Sequence, residues 1–183
     1  MSDSLLVDIK DRIALLTLNR PAARNALSSE LLREFPAAIV AADGNDDVDV
    51  IVITGADPAF CAGLDLRELG SSGDNLAGGP SSDKLWGTPW PDVSKPVIGA
   101  VNGAAVTGGF EIALNCDFLI ASENAKFGDT HARVGLMPGW GLSVLLPQAV
   151  GVRRAREMSL TGNFMDAQEA LAFGLVNRVV AHD

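Results

Sequence analysis

Basic side chains are in short supply. Lysine and arginine number 14 against 23 aspartates and glutamates, which leaves a formal net charge of −9. Such a surface repels phosphate backbones and anionic headgroups, and no basic cluster offsets it, so neither nucleic acid nor membrane is the expected partner. Long apolar runs are missing too; none approaches the ~20 residues that a membrane-spanning helix needs. The first stretch carries Asp3, Asp8 and Asp11 and no extended apolar centre, so it is not expected to be a signal peptide. Cysteine is reduced to Cys61 and Cys116, which lack metal-ligand spacing. They read as two small apolar side chains in a reducing cytoplasm, with neither a disulfide nor a metal site expected.

What the chain does have is apolar content. Hydrophobic residues at 48% against 20% charged place it among globular proteins, and 183 residues suffice for one domain with its own core. Leu5 to Lys10 and Ile13 to Leu18 predict a hairpin around a tight Asp11-Arg12 turn. Ser28 is placed to cap a helix running to about Ala42, with Leu31, Leu32, Phe35 and Ile39 on one face. Pro36 falls inside that pattern and should bend or break it, at a cost of about 3 kcal/mol. Val50 to Thr54 reads as a buried strand. Gly55 to Leu69 is expected to be a loop ending in a helical turn, and Gly70 to Pro91, rich in Gly, Ser and Pro, a mobile one.

Further on, Phe118 to Ala121 and Ala125 to Gly128 are predicted strands, and Thr130 to Gly141 an irregular segment. Two helices follow, Leu142 to Val150 and Val152 to Leu160, with Pro147 interrupting the first. Asp166 and Glu169 form a capping box for Ala167 to Phe173, Gly174 closes that helix, and Asn177 to Val180 is a last short strand. Strands alternate with helices through the middle, so the class is α/β with mainly parallel strands.

Lys95 to Asp117 organises the rest. Val97 to Val101 is an apolar strand bounded by Pro96 and Asn102-Gly103, and glycines 103, 108 and 109 crowd the connection to a helix that carries Phe110, Ile112, Ala113 and Leu114. Helix-opening N–H groups have no internal partner and carry partial positive charge. Glycine lets a ligand oxygen approach them. Glu111, in the first turn, adds a potential general base beside a potential anion-binding donor. The packing alternative is that such junctions recur throughout α/β proteins and that a first-turn Glu simply favours the helix dipole.

Several segments in register resemble the crotonase superfamily, also called the enoyl-CoA hydratase/isomerase family. They are Asn19-Arg20-Pro21 with Asn25-Ala26-Leu27, Phe60 to Leu66, the stretch just described, Ala125-Lys126-Phe127-Gly128, Gly135 to Gly139, Leu160-Thr161-Gly162 and Gly174-Leu175-Val176. The resemblance covers nearly the whole chain. It implies a spiral of stacked ββα units, assembly as a homotrimer or hexamer, and an acyl-coenzyme A thioester as substrate in fatty-acid or related metabolism. Coenzyme A is then part of the substrate, and no separate cofactor is implied. By position, the backbone N–H groups of Leu64 and Gly108 hold the thioester oxygen. Ala23, Arg24, Ala26, Ala62, Asp65, Leu66 and Arg67 line the coenzyme A path, with Arg24 and Arg67 available to its phosphates or left as solvated surface charges.

Departures from the family pattern bear on chemistry. Glu111 matches the first family carboxylate, but the register of the second gives His131, an imidazole able to act as acid or base near neutrality. The alternative is a pocket-wall histidine bonded to backbone. Asp129 and Arg133 lie close in sequence and are expected to point away from the site. Thr107 stands where many members have a third glycine. The chain ends at Asp183, so residues 1–183 are expected to form a single core domain without the family's C-terminal helical trimerisation segment. These features lead to an enoyl-CoA hydratase with Glu111 and His131 as its catalytic pair. An isomerase and a non-catalytic acyl-CoA-binding protein are the alternatives. A serine peptidase of Clp type, which shares the general fold, is set aside because no small-residue elbow surrounds any serine.

Overall fold

Left-handed backbone at Asp11 and Arg12 (φ 50° and 64°) turns β1 (Leu5–Lys10) back onto β2 (Ile13–Leu18) as an antiparallel hairpin. Positive φ at both central residues matches the twist of the flanking strands. The computed structural model describes residues 3–76 and 87–182; the middle of the Gly/Ser/Pro-rich stretch expected to be mobile, residues 77–86, lies outside them.

From β2 onward the chain alternates between two sheets. β3 (Val50–Gly55), β5 (Val97–Val101), β7 (Phe118–Ser122) and β10 (Arg178–Val180) extend the hairpin into a six-stranded sheet in the order β1-β2-β3-β5-β7-β10, parallel beyond β2. The strand after each of the first three goes elsewhere. β4 (Ala59–Cys61), β6 (Ala104–Val106) and β8 (Lys126–Gly128) pair in parallel, and β9 (Phe164–Asp166) closes this four-stranded sheet antiparallel to β8. Each strand pair leads into a helix: α2 (Leu66–Ser71), α3 (Gly108–Leu114) and α4 (His131–Val134). These are three consecutive ββα units wound as a spiral, the expected α/β crotonase-like arrangement.

β4, β6 and β9, of three residues each, and the single-turn α4 were not distinguishable from loop in the sequence. Pairing with neighbours in space makes them, not local pattern. α1 (Ser29–Asp43) also corrects an expectation, because it runs unbroken through Pro36. Ser28 caps it by accepting from Leu31 N–H, and Leu31, Phe35, Ile39 and Ala42 are buried along one side. Phe35 meets Trp90 edge to face at 5.8 Å. Burying a large apolar side chain is worth about 1.5–3 kcal/mol, so three of them outweigh the ~3 kcal/mol cost of one interior proline. α5 (Leu142–Val150) tolerates Pro147 in the same way, with Leu142 and Leu146 buried, and α6 (Val152–Thr161) packs beside it. The capping box at Asp166 and Glu169 is present and opens α7 (Ala167–Ala172).

The core fills the space between the sheets and helices. Phe110 from α3 lies 5.5 Å from Phe127 of β8, and Phe60 and Ile112 are fully enclosed. Cys61 and Cys116 are free thiols, and burial pushes the Cys61 thiol up to about 12 and that of Cys116 up as well. Among the described residues no helix is long and apolar enough to cross a membrane, and no cluster of metal-ligating side chains occurs.

Candidate active site

Three neighbouring parallel strands of the small sheet end at one place. β4 runs out into residues 62–64, β6 into Thr107 and Gly108, and β8 into Asp129, Thr130 and His131. Carboxyl ends of parallel strands are where α/β folds bind ligands. A cavity of about 200 Å³ opens there, lined by apolar side chains such as Leu32, Leu66, Val134, Met137 and Trp140, and by Leu64, Gly108, Glu111 and His131.

Close backbone approach sets the two candidate donors side by side. Gly109 packs so tightly on β4 that a Cβ there would lie 2.2 Å from Cys61 O. Gly63 (φ 84°) passes Thr107 at a distance that leaves no room for a side chain. Leu64 forms an isolated parallel bridge with Leu27: Leu27 N–H donates to Gly63 O (2.8 Å) and Asp65 N–H donates to Leu27 O (3.0 Å). In such pairing the N–H of Leu64 itself points away from Leu27, and Leu64 and Gly108 both line the cavity. Gly108 is the first residue of α3, so its N–H has no intrahelical partner. Thr107 takes the place of a glycine with φ 49° and ψ −119°, a conformation that strains a β-branched residue.

Glu111, 2% exposed, enters from α3. Its Oε1 accepts from Trp140 N–H (2.7 Å) and Leu142 N–H (3.2 Å), while Oε2 accepts only a long bond of 3.4 Å from Gly139 N–H. Burial pushes this carboxyl above the ordinary range; those N–H groups and the charge of His131 pull it back only in part. Opposite it, His131 is 6% exposed and holds Nε2 at 3.7 Å from Glu111 Oε2. Its other nitrogen, Nδ1, bonds Asp129 Oδ1 at 2.8 Å. Glu111 and His131 therefore do come together across the cavity. Asp129, 2% exposed, turns inward to the imidazole, which corrects the expectation that it points away; bonds to the His131 N–H and ring hold it there. Its carboxyl lies below the usual range: burial works against the charge, and bonds from His131 and the Ser159 hydroxyl more than offset that. Arg133 turns away and donates to Thr161 O.

Of the residues expected along the coenzyme A path, Ala62 and Leu66 line the cavity. Ala62 N–H donates to Arg24 O (3.0 Å), joining the two loops. Asn25, fully buried, ties them from beneath: its Nδ2 donates to Ala56 O and Ala59 O (2.7 and 2.6 Å), and its Oδ1 accepts from Arg20 N–H. Ala23 ends a short helical turn, Ala26 is buried, and Leu66 is exposed beside the cavity. Arg24 and Arg67 are exposed, and neither side chain is paired with a described acid. Asp65 is engaged elsewhere. Its carboxylate accepts from Arg20 (2.9 Å) and from the N–H groups of Arg67 and Glu68 at the start of α2.

The sequence reading missed two features. One is the Gly139–Leu142 segment that grips Glu111, hidden in a stretch read as irregular. The other is Asn75, which donates to Leu27 O and Asp65 O and whose buried Oδ1, at the cavity wall, has no partner among the described residues.

Backbone N–H groups at a glycine-rich junction, with a buried carboxylate and an imidazole facing each other beside them, are the kind of arrangement used by proteins that let negative charge build on a carbonyl. Within that class the chain belongs to the enoyl-CoA hydratase/isomerase family, whose model matches residues 8–183. It is 47% identical over 184 residues to a probable enoyl-CoA hydratase of Rhizobium meliloti (strain 1021), an alignment covering 99% of this chain and 70% of that relative. The crystal structure of an enoyl-CoA hydratase from Mycobacterium smegmatis superposes with a TM-score of 0.88 at 63% identity, over 100% of this chain and 75% of that one. An enoyl-CoA hydratase structure from Mycobacterium tuberculosis H37Rv gives 0.88 at 57% identity, over 99% and 75%.

Proposed function

We propose that the chain is an enoyl-CoA hydratase, adding water across the α,β double bond of an acyl-CoA thioester. The observation that carries this is Glu111 Oε2 facing His131 Nε2 at 3.7 Å across the cavity. Hydration needs a base for water and an acid for the α-carbon. Double-bond isomerisation needs only one group, and simple thioester binding needs neither.

In this reading Leu64 and Gly108 N–H donate to the thioester oxygen. Glu111 Oε2, the carboxylate oxygen with only one weak bond, removes a proton from water as its oxygen attacks the β-carbon. The π electrons move toward the α-carbon and the thioester oxygen, and His131 Nε2 delivers a proton to the α-carbon. The proton left on Glu111 returns to His131 and resets the pair. Coenzyme A enters as part of the substrate, with Arg24 and Arg67 meeting its phosphates and Ala23, Ala26, Ala62, Asp65 and Leu66 along its path. A homotrimeric or hexameric assembly and a cytoplasmic setting complete the proposal.

Glu111→Gln keeps the shape and removes the base. Hydration of crotonyl-CoA should fall by about 10²–10⁴-fold, with thermal stability little changed. Supplying 2-enoyl-CoA and 3-enoyl-CoA side by side separates the readings. Turnover of the 3-enoyl substrate alone would establish isomerisation instead, and an undiminished hydration rate in the variant would remove Glu111 from the mechanism.

A further inference from the structure

We propose that Asp129 is the positioning residue of a His–Asp proton donor: it holds His131 with Nδ1 protonated and Nε2 aimed at the substrate's α-carbon, and it stabilises the imidazolium. The inference rests on the hydration reading above, in which His131 supplies the α-proton.

Three observations support it. First, Asp129 Oδ1 accepts twice from the same residue, from His131 N–H at 3.2 Å and from Nδ1 at 2.8 Å. One oxygen thus fixes both the backbone and the ring of His131. An ionised carboxylate can only accept, so Nδ1 carries a proton in either charge state of the ring. Nε2 is then the atom that gains and loses a proton, and it is the atom facing Glu111. Second, Asp129 is buried, and among the described residues its ion-pair partner is this imidazole. A buried carboxylate without a partner is costly, so the Nδ1–H bond is what lets Asp129 stay buried with its charge. Third, the charged groups that meet the ring are Glu111 from α3 and Asp129 from the β8–α4 connection; α6 contributes the neutral Ser159 hydroxyl to Asp129. Two carboxylates thus flank one imidazole, and they are not equivalent. Asp129 is held by short bonds at the far nitrogen and keeps its charge. Glu111 is the one whose burial raises its affinity for a proton. The proton that moves is therefore shared between Glu111 and Nε2, while Asp129 stays ionised throughout.

Steady-state hydration of crotonyl-CoA across pH tests this with wild type, Asp129→Asn, His131→Gln and the double variant, each also assayed for KM and thermal unfolding. Asp129→Asn should lower kcat by about 100-fold or more with KM within about threefold, and should move the alkaline limb of the kcat/KM profile to lower pH by about one unit. In the double variant, Asp129→Asn should add less than about threefold to the His131→Gln loss, since the two act as one unit. A purely structural role for Asp129 leaves the limb in place and multiplies the two losses, and that result overturns the inference while the hydration reading stands. A His131→Gln enzyme that hydrates at the wild-type rate overturns the reading beneath it. Nitrogen NMR of histidine-labelled wild type, with His182→Gln to remove the second ring, needs no folded Asp129 variant. Above the alkaline limb the neutral His131 ring should carry its proton on Nδ1; finding it on Nε2 refutes the assignment of Asp129.

Discussion

Gly109→Ala probes how the oxyanion site is assembled. An added Cβ would lie 2.2 Å from Cys61 O and 2.7 Å from both Cys61 C and Cys61 Cβ, where ordinary contact begins at 3.4 Å. These are strand backbone and near-backbone atoms, so β4 and α3 must part by about 1 Å, and such overpacking costs about 1–3 kcal/mol. For a chain of this size that lowers Tm by roughly 3–10 °C. The larger effect is on activity. Cys61 leads straight into residues 62–64, so the same displacement separates the Leu64 donor from Gly108. A donor must sit about 2.7–3.1 Å from the oxygen it stabilises, and losing one costs about 3 kcal/mol, or ~100-fold in kcat. Gly108→Ala is the control for stability alone, because a Cβ there meets Leu27 Cδ1 at 3.4 Å and Trp140 Cζ3 at 3.6 Å, distances that fit without movement. Thermal unfolding of both variants and initial rates of Gly109→Ala and wild type on crotonyl-CoA provide the comparison. A Gly109→Ala enzyme with wild-type Tm and kcat within threefold would show that β4 and α3 do not set the donor spacing.

Asn25→Ala removes the buried amide that satisfies Ala56 O, Ala59 O and Arg20 N–H; chemical denaturation should show a loss of about 2–4 kcal/mol, and KM for acyl-CoA should rise more than kcat falls. Thr107→Gly relieves the strained φ of 49° and should raise stability by about 1 kcal/mol after allowing for glycine's greater freedom when unfolded, measured as a Tm gain of a few degrees. Because burial raises the Glu111 carboxyl, the acid limb of the hydration profile should lie above the ordinary glutamate range. The stability linkage has the matching sign: the contribution of Glu111 is complete below its unfolded pKa and is lost as pH rises through its folded one. Urea unfolding of wild type and Glu111→Gln between about pH 4 and pH 7 should therefore show the variant gaining on wild type as pH increases.

The sequence was most legible where function and local pattern coincide. Gly108 and Glu111 stand out because a glycine-rich strand-to-helix junction with a first-turn carboxylate has one geometry whatever surrounds it. The hairpin, the Ser28 cap and the Asp166 capping box are local in the same sense. Asp129 was not legible, because two residues of loop can turn a side chain either way and only packing against α6 decides. β4, β6 and β9 are too short to carry a period, and partners far along the chain create them. Pro36 misled because a local rule, that proline breaks helices, lost to the burial of Leu31, Phe35 and Ile39, which no local window weighs. The partner of the Asp65 carboxylate was not legible either, because it is Arg20, a residue 45 positions away.

In the proposed mechanism the two oxyanion donors belong to successive turns of the spiral, one following β4 and the other following β6, so their separation depends on how those turns stack. The site thus works as a gauge of that spacing. A perturbation that stretches or compresses the coil by a fraction of an ångström, even far from any reacting atom, registers as a change in rate before it registers as unfolding. Mild denaturant or pressure should therefore lower kcat in a range where the circular dichroism of the fold is still constant, and catalytic rate becomes the more sensitive readout of how tightly the turns are wound.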